Sequence, residues 1–188
     1  MIYEAKTGGD GKKAGIHYFF EHPLTPVTIS ARFSEKNILI CDTVYLGKKR
    51  FKGLAISHDK TIILYAEMIR DYLDGKNHTL NAIPVQLETY SKFQHAVLTA
   101  AQRIPWGTTV SYKKLAHMSG YPQAVRAAAR VMRNNRYSLI IPCHRVIKSN
   151  GDIGGFGGRQ KGKTVELKRK LLEREGVSIN NLKLTIDN

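Results

Sequence analysis

The residues best equipped for chemistry are Pro142-Cys143-His144-Arg145-Val146, which set a thiol beside an imidazole and a guanidinium. They follow the apolar run Leu139-Ile140-Ile141 and lead into a glycine-rich loop. A thiol is nucleophilic as its thiolate, and nearby His or Arg charge stabilises that form. The same surroundings also suit a buried structural cysteine, so other features must discriminate. One is Glu175. In the last helical pattern, from Thr164, Leu167, Leu171 and Glu175 recur at spacing four, with Leu172 beside them. That face points inward, where an unpaired carboxylate is costly. Glu175 therefore needs a partner, and a histidine would serve. Gly176 ends the helix.

The elements that must position these groups fall into two parts. His17-Tyr18-Phe19-Phe20 and the run from Asn37 to Leu46 read as short strands bounded by Gly, Pro and charge. Cys41 falls inside the second run and reads as a small core residue. Thr61 is a candidate cap for a helix with Ile62, Tyr65, Ile69 and Tyr72 or Leu73 on one stripe, ended by Asp74-Gly75-Lys76-Asn77. Asn81 to Glu88 reads as a linker. Beyond it, Ser91 is a candidate N-cap for a helix carrying Phe93, Val97, Ala100, Ala101 and Ile104, stopped by Pro105-Trp106-Gly107. The expected organisation is an α+β chain with a first domain over 1–82, a linker over 83–90 and a mostly helical domain over 91–188.

A helix-turn-helix pattern follows. Ser111 to Met118 reads as a short helix, Ser119-Gly120-Tyr121 as the turn, and Pro122 as the first position of a second helix ending near Asn134. On that helix Val125, Ala128 or Ala129, and Met132 face one way. Arg126, Arg130 and Arg133 face another. Such a face belongs on a DNA-recognition helix or on an ordinary solvated one.

Charge favours DNA. The 188 residues hold 30 Lys+Arg against 15 Asp+Glu, a formal charge of +15. An excess of that size attracts polyanions, nucleic acid before an anionic membrane surface. Membrane binding is disfavoured: no apolar run approaches the ~20 residues of a span, and no amphipathic helix exposes large apolar residues. The opening Met1 to Lys6 lacks signal-peptide features. Two cysteines make neither a disulfide framework nor a Cys-x-x-Cys site, so a reducing, intracellular setting is expected.

Gly157-Gly158-Arg159-Gln160-Lys161-Gly162-Lys163-Thr164 fits the P-loop expression G-x-x-x-x-G-K-[ST]. The context argues against it. Asn150 to Phe156 offers no buried strand, and 24 residues after Thr164 are too few for the parallel sheet and a second acidic Mg²⁺ ligand. No nucleotide cofactor is expected. The glycine-rich N–H groups, Arg159, Lys161, Lys163 and a helix start could instead hold an anion such as a DNA phosphate.

These segments together resemble the O6-alkylguanine-DNA alkyltransferase family (methylated-DNA–protein-cysteine methyltransferases). The likeness runs from about Ile83 to Gly176, with a weaker one around Asp71 to Gly75. It is carried by Phe93-Gln94, Val97-Leu98, Ile104 to Gly107, Ser111-Tyr112, Leu115-Ala116, Arg126-Ala127, Asn134-Asn135, Ile141 to Val146, Leu171-Leu172 and Glu175-Gly176. The resemblance implies a ribonuclease-H-like N-terminal scaffold and a winged-helix-like C-terminal domain. It implies a base flipped from duplex DNA, with Arg126 filling the gap and the helix of Ala124, Ala127 and Ala128 close in the minor groove. Cys143 would attack the alkyl carbon of O6-alkylguanine, with O4-alkylthymine a second candidate substrate. His144 would take the thiol proton through a water, Glu175 would orient His144, and Tyr112 would serve guanine N3. Asn135 would tie the recognition helix to the active-site turn, and the Cys143 and Val146 carbonyls would accept the guanine amine. Lys113, Arg130 and Ser149 are expected at DNA.

Departures from the family pattern bear on adduct preference. Phe156-Gly157 stands where many members carry Tyr-Ser, which leaves the Gly157 N–H near O6 in place of a hydroxyl. The basic segment between Gly158 and Leu171 is several residues longer than in the family, and Arg136 and Ser138 replace common prolines. The thioether product is stable, so each molecule is expected to react once, as a monomer, and the compact chain without targeting signals suits the cytoplasm of a prokaryotic cell. With Cys41 as its one N-terminal cysteine, no metal is expected.

Overall fold

Period-two alternation builds a sheet. β1 (Ile16–Phe20), β2 (Val27–Phe33) and β3 (Leu39–Leu46) lie antiparallel in the order β1-β2-β3. The computed structural model describes residues 16–36, 38–47, 59–180 and 183–184. The chain opening Met1 to Lys6, and Asn37 at the head of the expected second strand, lie outside them. β2 is a strand that the sequence reading omits. Its signal is Val27, Ile29 and Ala31 at period two directly after Pro26, diluted by Thr28, Ser30 and Arg32. The free edge of β3 is closed by the chain itself: the Cys41 N–H donates to the Pro84 carbonyl and the Val44 N–H to that of Arg136, both at 2.9 Å. Pro84, expected in a linker, thus pairs with this sheet, and Ile83 beside it is buried.

Helix α1 (Lys60–Leu73) buries the expected stripe of Ile62, Tyr65, Ile69, Tyr72 and Leu73. Its cap is Asp59 rather than Thr61. The Asp59 carboxylate accepts the N–H groups of Thr61 at 2.8 Å and Ile62 at 3.3 Å, and its charge suits the positive helix end. The Tyr65 hydroxyl donates to the Leu39 carbonyl at 2.9 Å. These elements, with Arg136–Ile140, make one compact unit; Leu87–Asn135 and the chain from Ile141 make another.

The second unit holds α2 (Lys92–Gln102), β4 (Val110–Ser111), α3 (Tyr112–Met118), α4 (Val125–Arg133), β5 (Val146–Ile147) and α5 (Lys163–Arg174), followed by the short pair β6 (Ile179–Asn180) and β7 (Lys183–Leu184). Ser91 and Gln94 close a capping box on α2. Helices α3 and α4 form the expected helix-turn-helix, with Gly120 at φ +81° in the turn. α4 starts at Val125, three residues later than expected. Pro122 instead occupies a tight turn closed by the Ala124 N–H on the Tyr121 carbonyl at 2.9 Å. Ala128, Val131 and Met132 face inward; Arg126, Arg130 and Arg133 are exposed. Among the described residues no helix is long and apolar enough to cross a membrane. The chain is α+β.

A two-residue parallel ladder, Val110 with Val146 and Ser111 with Ile147, joins β4 to β5. It sets the start of α3, and so Tyr112, beside the turn that holds Cys143. Ser111 also caps α3, accepting the Lys114 N–H at 3.0 Å. Ser111→Ala should therefore cost about 1 kcal/mol of stability, measured by urea denaturation, whereas Ser111→Asp should retain most of it.

Candidate active site

Pro142 leads into a single 3₁₀ turn, Cys143–Arg145, whose three side chains are all buried. Just past α4, Asn135 donates its Nδ2–H to the Ile141 carbonyl at 2.8 Å and hydrogen-bonds the Cys143 side chain. Burial pushes the Cys143 thiol up; the Asn135 hydrogen bond, Lys168 charge and backbone N–H groups oppose this without overcoming it. The resting group is thus a thiol that needs a base.

A candidate base stands next in sequence. His144 is fully buried, and its Nε2 lies 2.7 Å from Glu175 Oε1. Burial lowers the histidine pKa against the opposing pull of Glu175, so the imidazole is neutral at rest. The carboxylate fixes the proton on Nε2 and leaves Nδ1 as the basic nitrogen. Glu175 has a second partner that the sequence reading did not assign. Arg145 Nε donates to Oε2 at 2.8 Å and Nη2 to Oε1 at 3.0 Å, while Nη1 donates to the Ile104 carbonyl at 2.5 Å. The Arg145 guanidinium also lies 5.9 Å from the Trp106 ring centroid. The Gly107 N–H completes the set on Oε2 at 3.1 Å. Gly107 has φ +73°, and a Cβ there would lie 3.0 Å from the Glu175 carbonyl oxygen, so glycine is required. Burial opposes the Glu175 charge, but His144 and Arg145 outweigh it and bring the carboxyl down to about 2.

Cys143 opens onto a cavity of about 740 Å³. Tyr112, Arg126, Arg130, Arg133, Lys148 and Gly154 to Gln160 line it, so its charged lining is entirely basic. Tyr112 is raised to about 12 by burial and the neighbouring thiol, which keeps its phenol protonated. The basic segment forms part of this wall. Phe156 and Arg159 exchange backbone hydrogen bonds at 2.9 and 3.0 Å across Gly157-Gly158, both at positive φ. This tight hairpin, not a buried strand, precedes α5. Gly155 must be glycine, because a Cβ would meet the Arg159 carbonyl at 2.6 Å.

Cys143, His144, Glu175, Asn135 and Tyr112 therefore gather around one turn, and Arg126, Arg130 and Gly157 line the same cavity. Lys113, Ala127 and Ser149 are exposed and are not among the lining residues. Sequence reasoning missed the structural weight of Arg145, the lining roles of Arg133, Lys148 and Gln160, and the buried Lys168. Lys168 was visible in principle: it precedes Leu171 and Leu172 by three and four positions on the inward stripe of α5.

Comparison with known proteins adds the family. Residues 92–177 match the 6-O-methylguanine DNA methyltransferase, DNA binding domain. A methylated-DNA–protein-cysteine methyltransferase of Saccharolobus islandicus is 44% identical over 167 residues, covering 87% of this chain and 97% of the relative. The chain belongs to the methylated-DNA–protein-cysteine methyltransferase family. The family protein of Methanothermobacter thermautotrophicus is 37% identical over 113 residues, 60% of each chain. The Mycobacterium tuberculosis OGT in complex with DNA superposes with a TM-score of 0.69 at 25% identity, covering 85% of this chain and 91% of that one. A methyltransferase of this family needs an acceptor cysteine, and the two candidates differ sharply. Cys41 is fully buried in β3, and burial raises it to about 12. Cys143 alone faces the cavity.

The Glu175 network carries a pH signature. The unfolded carboxyl titrates near 4.5 and the folded one near 2, so the unfolded state binds more protons between them. The network's stabilisation is complete above about 4.5 and is lost as pH falls toward 2. Chemical denaturation across this window should show a steeper acid loss for the native chain than for Glu175→Gln.

Proposed function

We propose that this methyltransferase repairs duplex DNA by moving the alkyl group of O6-alkylguanine onto Cys143 Sγ, once per molecule. The observation that carries the reading is the buried Cys143-His144-Glu175 arrangement, with Cys143 opening on a cavity whose charged lining is entirely basic. The guanine leaves the stack to reach the thiol, and Arg126 on the exposed face of α4 fills the gap. His144 Nδ1 takes the thiol proton through a water while Glu175 balances the imidazolium. The sulfur then attacks the alkyl carbon in line: the S–C bond forms as the C–O6 bond breaks. The protonated Tyr112 phenol donates to N3 as negative charge develops on the departing guanine. The carbonyls of Cys143 and Val146 accept the exocyclic amine, and the Gly157 N–H serves O6. The thioether is stable, so no turnover follows.

Lys113, Ala127, Arg130 and Ser149 contact DNA around the lesion. Arg159, Lys161, Lys163 and the glycine-rich N–H groups ahead of α5 meet a further phosphate. The N-terminal sheet with α1 is a ribonuclease-H-like scaffold. The helix-turn-helix with the β4–β5 ladder is winged-helix-like and acts as a monomer, in the cytoplasm of a prokaryotic cell. No metal or nucleotide takes part.

Incubation with duplex DNA containing O6-methylguanine should add one methyl group to the Cys143 peptide by mass spectrometry. Cys143→Ala should bind the lesion and take none. An unmodified peptide with binding confirmed would make the chain a lesion binder. Arg126→Ala should slow duplex repair roughly 10- to 100-fold, the equivalent of the few kcal/mol of unstacking. Reaction with free O6-benzylguanine, which needs no flipping, should be unchanged.

A further inference from the structure

Lys168 heads the fully buried side chains, and no step above uses it. Taking an ammonium out of water costs several kcal/mol unless its hydrogens and charge are met. Lys168 Nζ donates to the Val146 carbonyl at 2.6 Å and to that of Gly155 at 3.4 Å. Neither acceptor carries a formal charge. Val146 directly follows the turn of Cys143, and Gly155 lines the cavity. One side chain from α5 therefore holds both the nucleophile's turn and the cavity wall.

The charged groups around Lys168 are few. From the turn come Cys143, which as thiolate favours the ammonium, and His144, whose protonation Lys168 opposes. From the loop after β5 come Asp152, which attracts, and Lys148, which repels. Among the described residues no carboxylate hydrogen-bonds or ion-pairs with Lys168 Nζ, so the anion best able to meet its charge inside the site is the one formed at Cys143.

We propose that Lys168 is a positioning residue for alkyl transfer: its ammonium clamps the Val146 and Gly155 carbonyls and supplies the positive potential in which the Cys143 thiolate forms. The proposal rests on Cys143 being the acceptor. It also supplies an economy of charge. When His144 gains the thiol proton, Glu175 balances the imidazolium, and the Lys168 charge favours the new thiolate. Burial brings the lysine down to about 8, so the ammonium persists through neutral pH and is lost as pH rises past that value.

The test is the pH dependence of Cys143 alkylation by iodoacetamide, followed on the Cys143 peptide, in the native chain, Lys168→Met and Lys168→Arg. The Met variant should move the thiol midpoint up by about one unit, a roughly tenfold loss of thiolate at neutral pH. The Arg variant should restore the native midpoint. A folded Lys168→Met protein with the native midpoint would overturn the proposal and leave Lys168 a packing residue. A second readout does not depend on that variant folding: NMR titration of Lys168 in the native chain and in Cys143→Ser. Loss of the thiolate should lower the lysine midpoint, and identical midpoints would also overturn the coupling. A chain whose thiol profile depends on Lys168, yet which takes no methyl group from DNA, would refute the repair reading and with it the role in alkyl transfer, leaving only the charge coupling between Lys168 and Cys143.

Discussion

The buried carboxylate of Glu175 is the constraint on which the second unit depends. An ionised group with 1% side-chain exposure is tolerable only if its charge and lone pairs are met. They are met by His144, Arg145 and the Gly107 backbone, drawn from segments far apart in sequence. Arg145 extends the tie to the Ile104 carbonyl. Satisfying one carboxylate thus fixes the end of α5, the loop after α2 and the turn of Cys143 together. Any chain that buries Glu175 in this way has already placed His144 beside Cys143. Stability and reactivity share one network.

The network also sorts the charges by task. His144 and Arg145 together keep Glu175 ionised, while burial holds His144 itself neutral and basic. Burial keeps Cys143 as a thiol at rest. The exposed arginines of α4 and the basic hairpin segment lie outside this economy. They form part of the wall of an open cavity, where charge acts over several ångströms and geometry is less exacting.

Much of this was legible in sequence because it rests on local rules. The inward stripe of α5 ending in Glu175, the capping serine at 91 and the arginine face of α4 all follow from helical period and cap chemistry. Ser111, read as the first helical residue, proved instead to be the cap of α3. What escaped was non-local. β2 was diluted by polar and small residues and emerged only through pairing with both neighbours. Pro122 suits a turn as well as a helix start, and tertiary context chose the turn. Asp59 displaced Thr61 because carboxylate and hydroxyl are both good caps, two positions apart. Arg145 and Lys168 look like solvated charges by type; only the folded chain reveals which basic side chains are buried. The closing of the β3 edge by Pro84 and Arg136 likewise joins segments that no short window contains.

The most direct measurement is single-turnover methyl transfer by Glu175→Gln set against its affinity for the same lesion duplex. Glutamine keeps the shape but cannot balance an imidazolium, so transfer should slow by roughly 100-fold, the scale of a general-base contribution. Binding to DNA should stay within about twofold of the native value, since the basic cavity wall and α4 are untouched. Equal loss of transfer and binding would mean that Glu175 holds the fold and nothing more. An unchanged transfer rate would contradict the proton path itself.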